Sequence, residues 1–422
     1  AARNADAPVV SDLVACGDAP GPHADANDAT RGCFGADPDF HEIQGTLRIP
    51  HVQLGTPPFA TRDDGGNADW SLGTPEIQRY DEVTFSVTVP RAPAPPEGWP
   101  IVLFAPDAGE NYRTSVDRGL SARWTAIDHP AGTAGFAVVS LDTWLTGPRA
   151  GQVSPSWLGV FPPGGEEALL YDNPINPVAV RDNITQSAID WFSMVRWLET
   201  VDWSTTSPAG APLPIDPTRL WFVGQGLGGR AGTMVGAYEP AVKGVVLAGT
   251  GGLWSSSLSE RTEPFDLAAL MGPALGDPNV DRFQPIVAFG QQIVDRTDPV
   301  SHAPFVHRYA DVDRDVLYVV SRDPEVGESS EHALARALYV EQVVDEGVPD
   351  LPYDRPATTP PSPSLKTAPV TANAQGSTAV AVLNSGADPH RLLYEESRTI
   401  AQVDAFMASG LLEGRATLPF FP

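Results

Sequence analysis

Residues 218–232 read TRLWFVGQGLGGRAG, and this stretch decides the fold. The apolar segment at 220–223 has the length and composition of a buried strand, and it runs directly into a glycine-rich turn. The residues that follow are small and favour a helix. Flanking glycines let a strand and a helix approach closely, and the central residue of such a turn needs a positive φ, which Gly226 accepts without strain. The stretch therefore predicts a tight strand–turn–helix connection centred on Gly226.

This connection has the setting of the motif G-x-S-x-G, in which a serine at the centre of the turn is presented above a sheet as a nucleophile. Gly226 stands at that centre and offers no nucleophilic side chain. Two other interpretations are open. Gly224, Gly226 and Gly229 also fit the dinucleotide fingerprint G-x-G-x-x-G, although that fingerprint normally opens the first βαβ unit and this turn lies past the midpoint of the chain. The turn could also have a purely structural role.

Strands and helices alternate along the chain, which predicts a mostly parallel central sheet with helices on both faces. Short, β-rich apolar runs at 101–105 and 136–141 are typical of central strands in a covered sheet. A longer helix is predicted over 183–200, because its apolar residues recur at three- and four-residue steps. The fold class expected from this alternation is α/β.

The expected domain covers residues 41–422, with residues 1–40 as an irregular, acidic extension rich in turn-forming residues. Two stretches do not follow the alternation of strands and helices, and both come after a predicted strand. They are insertions at about 143–180 and 252–308. Ligand-facing loops of open α/β sheets occur at such strand ends, so we expect both insertions to lie near the site.

Three stretches, in family order along residues 80–412, resemble the α/β-hydrolase family, specifically bacterial extracellular lipases and esterases. They are RDNITQSAIDWFSMVRWL at 181–198, VGQGLGGRAGTMVGAYEPAVKGVVLAGTGG at 223–252 and QPIVAFGQQIVDRTDPVSHAPF at 284–305. The resemblance implies an α/β-hydrolase fold with a cap or loop insertion. It also implies a serine-type carboxylic-ester hydrolase that acts through an acyl-enzyme and needs no cofactor, on a lipid, a small ester or a polyester.

The resemblance further implies a catalytic triad in the chain order nucleophile, acid, histidine. Gly226 occupies the nucleophile position, Asp323 follows the strand VLYVV and matches the acid, and His390 follows AVAVLNSGADP and matches the histidine. In such a triad the histidine takes the proton of the nucleophile, while the acid holds the imidazole ring and stabilises its cation. Other candidates for the acid are Asp295, Asp298 and Glu325.

An oxyanion hole of this kind uses two backbone amides. The resemblance assigns one to Leu227, directly after the centre of the turn, and the other to Ala108, in the loop after the strand at 101–105. Asp107 departs from the family pattern, which has glycine there. A carboxylate beside a developing oxyanion would oppose catalysis unless it points away from the site.

Three hypotheses about activity follow. The first is a carboxylic-ester hydrolase whose serine was replaced by Gly226, most simply by engineering, so that this form is inactive and Gly226→Ser restores ester hydrolysis. The second is a natural pseudoenzyme that binds or scaffolds, favoured by the two departures at Asp107 and Gly226. The third is an enzyme with a different nucleophile, such as Asp107, or with a water molecule held by His390.

Aromatic residues in the insertions are candidates for substrate contact, with Trp144 and Trp254 foremost, although aromatic residues in such loops equally often pack the loop itself. The sequence shows no His/Cys/Asp cluster with the spacing of metal ligands. The partner that the resemblance implies is an ester substrate. We expect the protein to be a monomer.

The net charge, the apolar runs and the cysteines limit what the protein can bind and where it is located. The formal net charge of −26 opposes binding to nucleic acid, and no apolar run is long enough for stable membrane insertion. Two cysteines, Cys16 and Cys33, lie in a turn-rich segment and predict one disulfide in a secreted or periplasmic bacterial protein. Two free thiols in a reducing cytosol are the alternative.

Overall fold

The computed structural model describes residues 5–17, 32–33, 35–150, 165–262, 266–321, 328–343, 365–384, 388 and 390–421 of the 422-residue chain. In chain order its strands are β1 (Val9–Ala15), β2 (Phe40–His51), β3 (Gln53–Gly55), β4 (Gly65–Ala68), β5 (Arg79–Pro90), β6 (Trp99–Ala105), β7 (Ile127–His129), β8 (Gly132–Ala134), β9 (Ala137–Leu141), β10 (Ile215–Gln225), β11 (Val242–Ala248), β12 (Asp315–Ser321), β13 (Glu341–Val343), β14 (Leu365–Lys366), β15 (Val370–Thr371), β16 (Ala379–Asn384) and β17 (Thr417–Leu418).

The helices lie between these strands. In chain order they are α1 (Thr114–Asp117), α2 (Leu120–Arg123), α3 (Gly165–Tyr171), α4 (Pro177–Leu198), α5 (Gly226–Tyr238), α6 (Trp254–Glu260), α7 (Leu267–Leu275), α8 (Pro285–Val294), α9 (Pro299–His302), α10 (Glu328–Leu338), α11 (Leu392–Glu395) and α12 (Ser397–Leu412). No helix in the described parts of the chain has the length and apolar character needed to cross a membrane.

Eleven strands form one central sheet in the order β1-β2-β5-β9-β6-β10-β11-β12-β16-β13-β14. The strands from β9 to β14 pair in parallel, whereas β1, β2 and β5 pair antiparallel at one side of the sheet. The carboxyl ends of β6, β10, β12 and β16 therefore meet at one edge. The expectation of a mostly parallel sheet is confirmed.

Each central strand is buried on both faces, and its side chains alternate between two cores. On β6, Leu103 belongs to the core that α4 and α5 cover, while its neighbour Phe104 belongs to the core that α12 covers. Trp191 from α4 and Phe406 from α12 lie in these two opposite cores. Side chains of a strand point alternately to its two faces, so an unbroken apolar run must have helices on both sides.

Helix α4 begins before the predicted start at residue 183. Pro177 occupies its first turn, where the missing N–H costs nothing, and the side chain of Asn176 accepts a hydrogen bond from the amide of Ala179. The apolar periodicity predicted the middle and end of the helix. It did not predict where the helix starts, because the capping residues Asn176 and Pro177 determine that point.

The N-terminal region corrects an expectation. We expected residues 1–40 to be irregular, but Val9–Ala15 forms an edge strand that pairs antiparallel with β2. Its apolar residues alternate with polar ones too weakly to stand out from the turn-rich sequence around it. The predicted disulfide between Cys16 and Cys33 is confirmed, with 5.6 Å between the two Cα atoms. It ties the end of β1 to the segment that precedes β2.

The two insertions contain helices. Residues 143–180 include α3 and the first turn of α4, and residues 151–164 lie outside the described part. Residues 252–308 form α6, α7, α8 and α9 between β11 and β12. Both follow strands at the edge where the carboxyl ends of the parallel strands meet.

Candidate active site

The predicted connection at Gly226 is present. Strand β10 ends at Gln225 and helix α5 begins at Gly226, which has a φ of 51°. A Cβ on Gly224 would lie 2.6 Å from Gly229 Cα, and a Cβ on Gly228 would lie 2.2 Å from the carbonyl oxygen of Ala105. These glycines are therefore required by the close approach of the helix to strands β10 and β6.

The space beside Gly226 is filled by a side chain from another strand. A Cβ on Gly226 would lie 2.1 Å from both Cγ and Oδ1 of Asp107, which follows β6. Contacts this short do not occur between non-bonded atoms, so a side chain at position 226 and the present orientation of Asp107 exclude each other. The Asp107 carboxylate occupies the place that the motif gives to the nucleophile.

The two backbone amides assigned to an oxyanion hole do converge, but they point at Asp107. The amides of Ala108 and Leu227 each donate to Oδ1 of Asp107 at 2.8 Å. The sequence argument required this carboxylate to point away if the amides were to serve a substrate. Instead it points inward and binds them both, so they are not free to receive a substrate carbonyl in this arrangement.

His390 completes the cluster from the loop after β16. Its Nδ1 lies 2.6 Å from Oδ2 of Asp107, and its backbone amide donates to Asp388. The other ring nitrogen, Nε2, is buried and has no hydrogen-bond partner among the residues that the structure describes. The predicted histidine and the predicted turn therefore come together, with the carboxylate of Asp107 between them.

The charge of Asp107 is stabilised although the residue is only 4% exposed. Burial acts to raise the pKa of Asp107, but the charge and hydrogen bond of His390 and the two amide bonds outweigh it and lower the pKa. Burial similarly acts to lower the pKa of His390, whereas the charge and hydrogen bond of Asp107 outweigh it and raise the pKa. The pair therefore favours a carboxylate facing an imidazolium.

A second carboxyl group lies beside this pair. Glu110 Oε2 accepts hydrogen bonds from the amide of Asp107 and from the hydroxyl of Tyr394, each at 2.9 Å. Burial, together with the nearby charge of Asp107, raises the pKa of Glu110 to about 7. Around neutral pH this group therefore exchanges a proton next to Asp107.

The sequence analysis did not identify Glu110 and Tyr394. Signals were present: Glu110 lies three residues after the unexpected Asp107, and Tyr394 lies four residues after His390. The strand order brings β6 next to β10 and places the end of β16 at the same edge of the sheet. Only this order shows that the segment of Glu110 and the segment of Tyr394 meet.

The acid position is not observable. Asp323 and the alternative Glu325 lie outside the described residues. The other two candidates have structural partners, since Asp298 accepts from the amides of Leu253 and Trp254 and Asp295 accepts from the side chain of Gln291. Asp298 thus fixes the start of α6.

A network of buried ion pairs holds the two insertions against helix α5. Arg230, one turn after Gly226 on α5, donates to Asp172, which also accepts from Arg261 at 2.9 Å. All three side chains are buried. This network links α5 to the residues after α3 and to the end of α6, so the walls of the site are fixed relative to Gly226.

The two candidate aromatic residues have different positions. Trp144 is 2% exposed and lines a narrow cavity together with Ala108 and Leu227, next to the Asp107 cluster. Trp254 is also buried, and it packs against Gly290 of α8 in the core of the cap. The geometry thus places Trp144 beside the site, whereas the described side-chain contacts of Trp254 are packing contacts in the core of the second insertion.

One group of potential metal ligands is close enough to share an ion within the described chain: Cys16, Cys33 and Glu42. The two cysteines form the disulfide and so cannot supply thiolates. The arrangement is therefore that of a covalent cross-link.

No family model and no curated protein sequence matches the chain. Among solved structures it is similar to acetyl xylan esterase 1 from Thermoanaerobacterium sp. JW/SL YS485, with 13% identity, a TM-score of 0.44, and coverage of 89% of this chain and 85% of that chain. It is also similar to an acetyl xylan esterase from Paenibacillus sp. R4, with 12% identity, a TM-score of 0.43, and coverage of 71% and 75%.

The assignment of the fold comes from the topology of the chain itself. The run β2-β5-β9-β6-β10-β11-β12-β16 crosses over once at β9 and β6 and is otherwise sequential. The sharp turn at Gly226 joins the central strand β10 to α5, with the loop after β6 beside it. A sharp strand-to-helix turn on a central strand, with an amide from the loop after the neighbouring strand beside it, is the arrangement typical of the α/β-hydrolase fold. The chain has the α/β-hydrolase fold.

Proposed function

We propose that this protein is a hydrolase in which the pair Asp107–His390 has taken the place of serine and histidine. In this proposal Gly226 and Asp107 are a matched natural replacement, and the chain does not act through an acyl-serine. The observation that carries the proposal is the Asp107 carboxylate, which fills the space of a side chain at 226 and binds Ala108, Leu227 and His390.

The packing around Gly226 favours a natural replacement over an engineered one. Removing a serine side chain from an otherwise unchanged enzyme would leave a gap beside the histidine. Here the gap is filled by a carboxylate with three charge-assisted hydrogen bonds, which are among the stronger polar interactions in proteins. Such a set of contacts requires an aspartate at 107 and a glycine at 226 together.

The chemistry of the pair is suited to hydrolysis. A carboxylate can act as a nucleophile, or it can hold a histidine that takes a proton from water. The route predicted from the family resemblance, acyl transfer to serine, lacks its serine at the centre of the turn, where Gly226 stands. The carboxylic-ester substrate expected from the sequence therefore remains a proposal, and in this chain its hydrolysis would have to use the Asp107–His390 pair instead of a serine at 226.

Exchanging the two residues tests the proposal. We would compare Gly226→Ser, Asp107→Gly and the double variant Asp107→Gly/Gly226→Ser, using p-nitrophenyl acetate and active-site titration with a serine-directed phosphonate. The double variant should gain titratable serine esterase activity, because it has room for the serine and frees the two amides. Gly226→Ser alone should remain at least about a hundredfold weaker, since loss of oxyanion donors costs that much in such enzymes.

The opposite ranking would contradict the proposal. If Gly226→Ser alone is a strong, phosphonate-sensitive esterase, Asp107 moves aside easily and the chain is an esterase that has merely lost its serine. Circular dichroism and thermal unfolding of all three variants would show that they are folded.

A natural pseudoenzyme is the second candidate. The observation in its favour is that both amides are already occupied by a side chain of the protein. It predicts that the wild-type protein has no hydrolytic activity that depends on Asp107 and His390. As for location, the Cys16–Cys33 disulfide supports our proposal of a secreted or periplasmic protein, because disulfides persist in oxidising compartments.

A further inference from the structure

We propose that the protein has a second ligand site, separate from the Asp107–His390 pair, which binds a carboxylate that carries an adjacent amide group. An N-acyl amino acid and the C-terminal residue of a peptide both have this chemistry. The site is the β5-edge cavity, which has a free volume of about 310 Å³ and is lined by residues 79–82 of β5 and by Pro57, Trp144, Pro148 and Arg149. Two features carry the proposal: an unpaired edge of a guanidinium group and an unpaired stretch of strand.

Arg149 provides the charged part of the site. Its side chain is 5% exposed, and its Nη1 donates to the carboxylate of Asp190 and to the carbonyl oxygen of Asp142. The other edge of the guanidinium, formed by Nε and Nη2, is buried as well but has no hydrogen-bond partner among the described residues. These two N–H groups point in the same direction and match the two oxygens of a carboxylate. A buried donor without a partner costs free energy, which a bound carboxylate would recover.

Strand β5 provides the second part of the site, because it continues past the end of its neighbour β9. Directly after β9, the amide of Asp142 donates to the carbonyl oxygen of Thr84 at 2.9 Å. The backbone groups of alternate residues point to the same side of a strand. The N–H and C=O groups of Glu82 and Tyr80 therefore also point away from β2, into the space beyond the end of β9.

The pairing with β2 agrees with this orientation. Tyr80 lies opposite Pro50 of β2, which has no N–H to donate, and the carbonyl oxygen of Pro50 accepts a hydrogen bond from Gln186 instead. The cavity is lined by four consecutive residues, 79–82, whose side chains alternate between the two faces of the sheet, so it borders the strand along its edge. An amide group placed there can hydrogen-bond to the backbone of Glu82, as an added strand would.

The two parts are close enough for one small molecule to use both. Arg149 donates to the carbonyl oxygen of Asp142, and the amide of the same residue pairs with Thr84. Glu82 lies two residues from Thr84, which is about 7 Å along a strand. A carboxylate joined through one carbon to an amide bridges this separation once a hydrogen bond is added at each end. A simple acid without the amide would use only Arg149.

The carboxyl groups that line the cavity differ in how far their charge is compensated. Asp81 is paired with both His51 and Arg79. Glu82 is exposed, and it has no ion pair among the described residues. Its charge therefore opposes an anionic ligand, and removing that charge should strengthen binding.

The remaining walls are rigid and apolar. Pro57, Trp144 and Pro148 have side chains with little conformational freedom, and Arg149 Cζ lies 4.9 Å from the centroid of the Trp144 ring. This contact helps to hold the guanidinium plane in place. The free volume of about 310 Å³ is at the lower end of the range for small-molecule pockets, which suits a single N-acyl residue with an apolar side chain.

Isothermal titration calorimetry of the wild-type protein tests the ligand class. N-acetyl-L-leucine should bind at one site. N-acetyl-L-leucinamide, which lacks the carboxylate, should bind at least about tenfold more weakly, because it loses charge-assisted hydrogen bonds. 4-Methylpentanoate, which lacks the amide, should also bind more weakly. Equal binding of either analogue, or no binding of N-acetyl-L-leucine, would overturn the proposal.

A further ligand distinguishes the two sources of this chemistry. N-acetyl-alanyl-leucine ends in the same residue but continues as a peptide. Binding at least as tight as that of N-acetyl-L-leucine would support the C-terminus of a peptide as the ligand, and binding at least about tenfold weaker would support a small N-acyl amino acid.

Two substitutions at position 82 test the edge of the strand. Glu82→Pro removes the N–H that faces the cavity, and proline is tolerated in a strand where no ladder bond uses that N–H. Glu82→Gln is the matched control, since it removes the same charge but keeps the N–H. N-acetyl-L-leucine should bind Glu82→Gln at least as tightly as the wild type, and Glu82→Pro about fivefold more weakly than Glu82→Gln. Equal affinities for the two variants would overturn the use of the strand edge.

A substitution of Arg149 tests the guanidinium. Arg149→Lys keeps a positive charge beside Asp190 but cannot form two parallel hydrogen bonds, so it should bind N-acetyl-L-leucine at least about tenfold more weakly. Arg415→Lys, at an exposed position after α12, is the matched control and should bind like the wild type. Thermal unfolding would show that both variants are folded. The comparison of ligands on the wild-type protein decides the case if Arg149→Lys does not fold, and unchanged affinity in folded Arg149→Lys would contradict the assignment.

Discussion

Two aspartate–histidine pairs in this protein have almost the same distance between their polar atoms, but they shift the pKa of the histidine in opposite directions. His390 Nδ1 lies 2.6 Å from Asp107 Oδ2, and His51 Nδ1 lies 2.8 Å from Asp81 Oδ2. The pKa of His390 is raised, whereas the pKa of His51 is lowered. Contact with a carboxylate therefore does not by itself decide whether a histidine is charged.

The difference comes from burial and from the neighbouring charges. His51 is completely buried, which is the largest influence on its pKa, and the cations Arg79 and Arg149 lower it further against the pull of Asp81. Asp81 is itself shared, because Arg79 also forms an ion pair with it at 2.9 Å. In the His51–Asp81 pair, the lowered pKa thus favours a neutral histidine, and the pair has a structural role.

The pair at the site has a different composition. The His390 side chain is 38% exposed, and Asp107 has backbone amides and a second carboxyl group, Glu110, around it. The charge of Asp107 is therefore directed at His390. The comparison indicates that a histidine is held as a cation when the carboxylate beside it is less closely surrounded by arginines, as Asp107 is relative to Asp81.

Activity should separate the two pairs most strongly. Asp107→Asn should lower the hydrolytic activity of the protein by about a thousandfold or more, because the proposed function places the Asp107 carboxylate at the reaction centre. Asp81→Asn should leave the rate within several-fold of the wild type, because its pair is structural. Equal losses in the two variants, measured on folded protein, would mean that the Asp107 pair has no special role.

The second carboxyl group should affect stability in a pH-dependent way. The pKa of Glu110 is raised to about 7, so the folded state holds a proton that the unfolded state releases above about pH 4.5. This contribution is fully present below the unfolded pKa and is lost as the pH rises through 7. Glu110→Gln should therefore raise the free energy of unfolding by about 3 kcal/mol at pH 8, and by far less at pH 4, in urea titrations. An effect independent of pH would contradict this assignment.

An effect of similar size, independent of pH, is expected from adding one methyl group at the turn. Gly226→Ala should lower the free energy of unfolding by about 3 kcal/mol, because the new Cβ meets the Asp107 carboxylate as well as an unfavourable φ. Gly119→Ala is the matched control, since Gly119 also has a positive φ but has open space around it. That variant should lose only about 1 kcal/mol, and similar losses in both would remove the argument for a filled site.

The smallest effect is on the titration of the two histidines. Followed by ring proton NMR, His390 should titrate above 6.5 and His51 below it. The raised pKa of His390 means that its pair stabilises the fold fully below pH 6.5 and loses that contribution as the pH rises through the folded pKa. For His51 the sign is opposite, and stability falls as the pH drops through its lowered pKa. Asp107→Asn should move His390 toward lower values.

The sequence predicted the parts of the site that are set by backbone pattern. The strand, the glycines and the helix around Gly226 specify the turn, and the same pattern places the amide of Leu227 at its end. The family resemblance, applied to the loop after the strand at 101–105, assigned the amide of Ala108. The turn depends on local sequence and the two amides on a motif that lies beside it, so all three could be predicted without a structure.

The orientation of Asp107 could not be predicted in this way. It depends on a contact with His390, far along the chain, and on the empty space that Gly226 leaves, and only the assembled sheet combines the two. The edge strand Val9–Ala15 was missed for a related reason, since its pairing with β2 rather than its own pattern makes it a strand.

A double-mutant cycle between positions 107 and 226 tests the central claim most directly. The free energies of unfolding of the wild type, Gly226→Ala, Asp107→Gly and the double variant would be measured by urea titration. If the Asp107 carboxylate occupies the space beside Gly226, Gly226→Ala should cost about 2 kcal/mol less when Asp107 is absent, because only the backbone strain remains. Additive effects, with the same cost in both backgrounds, would show that Asp107 does not fill that space and would contradict the account.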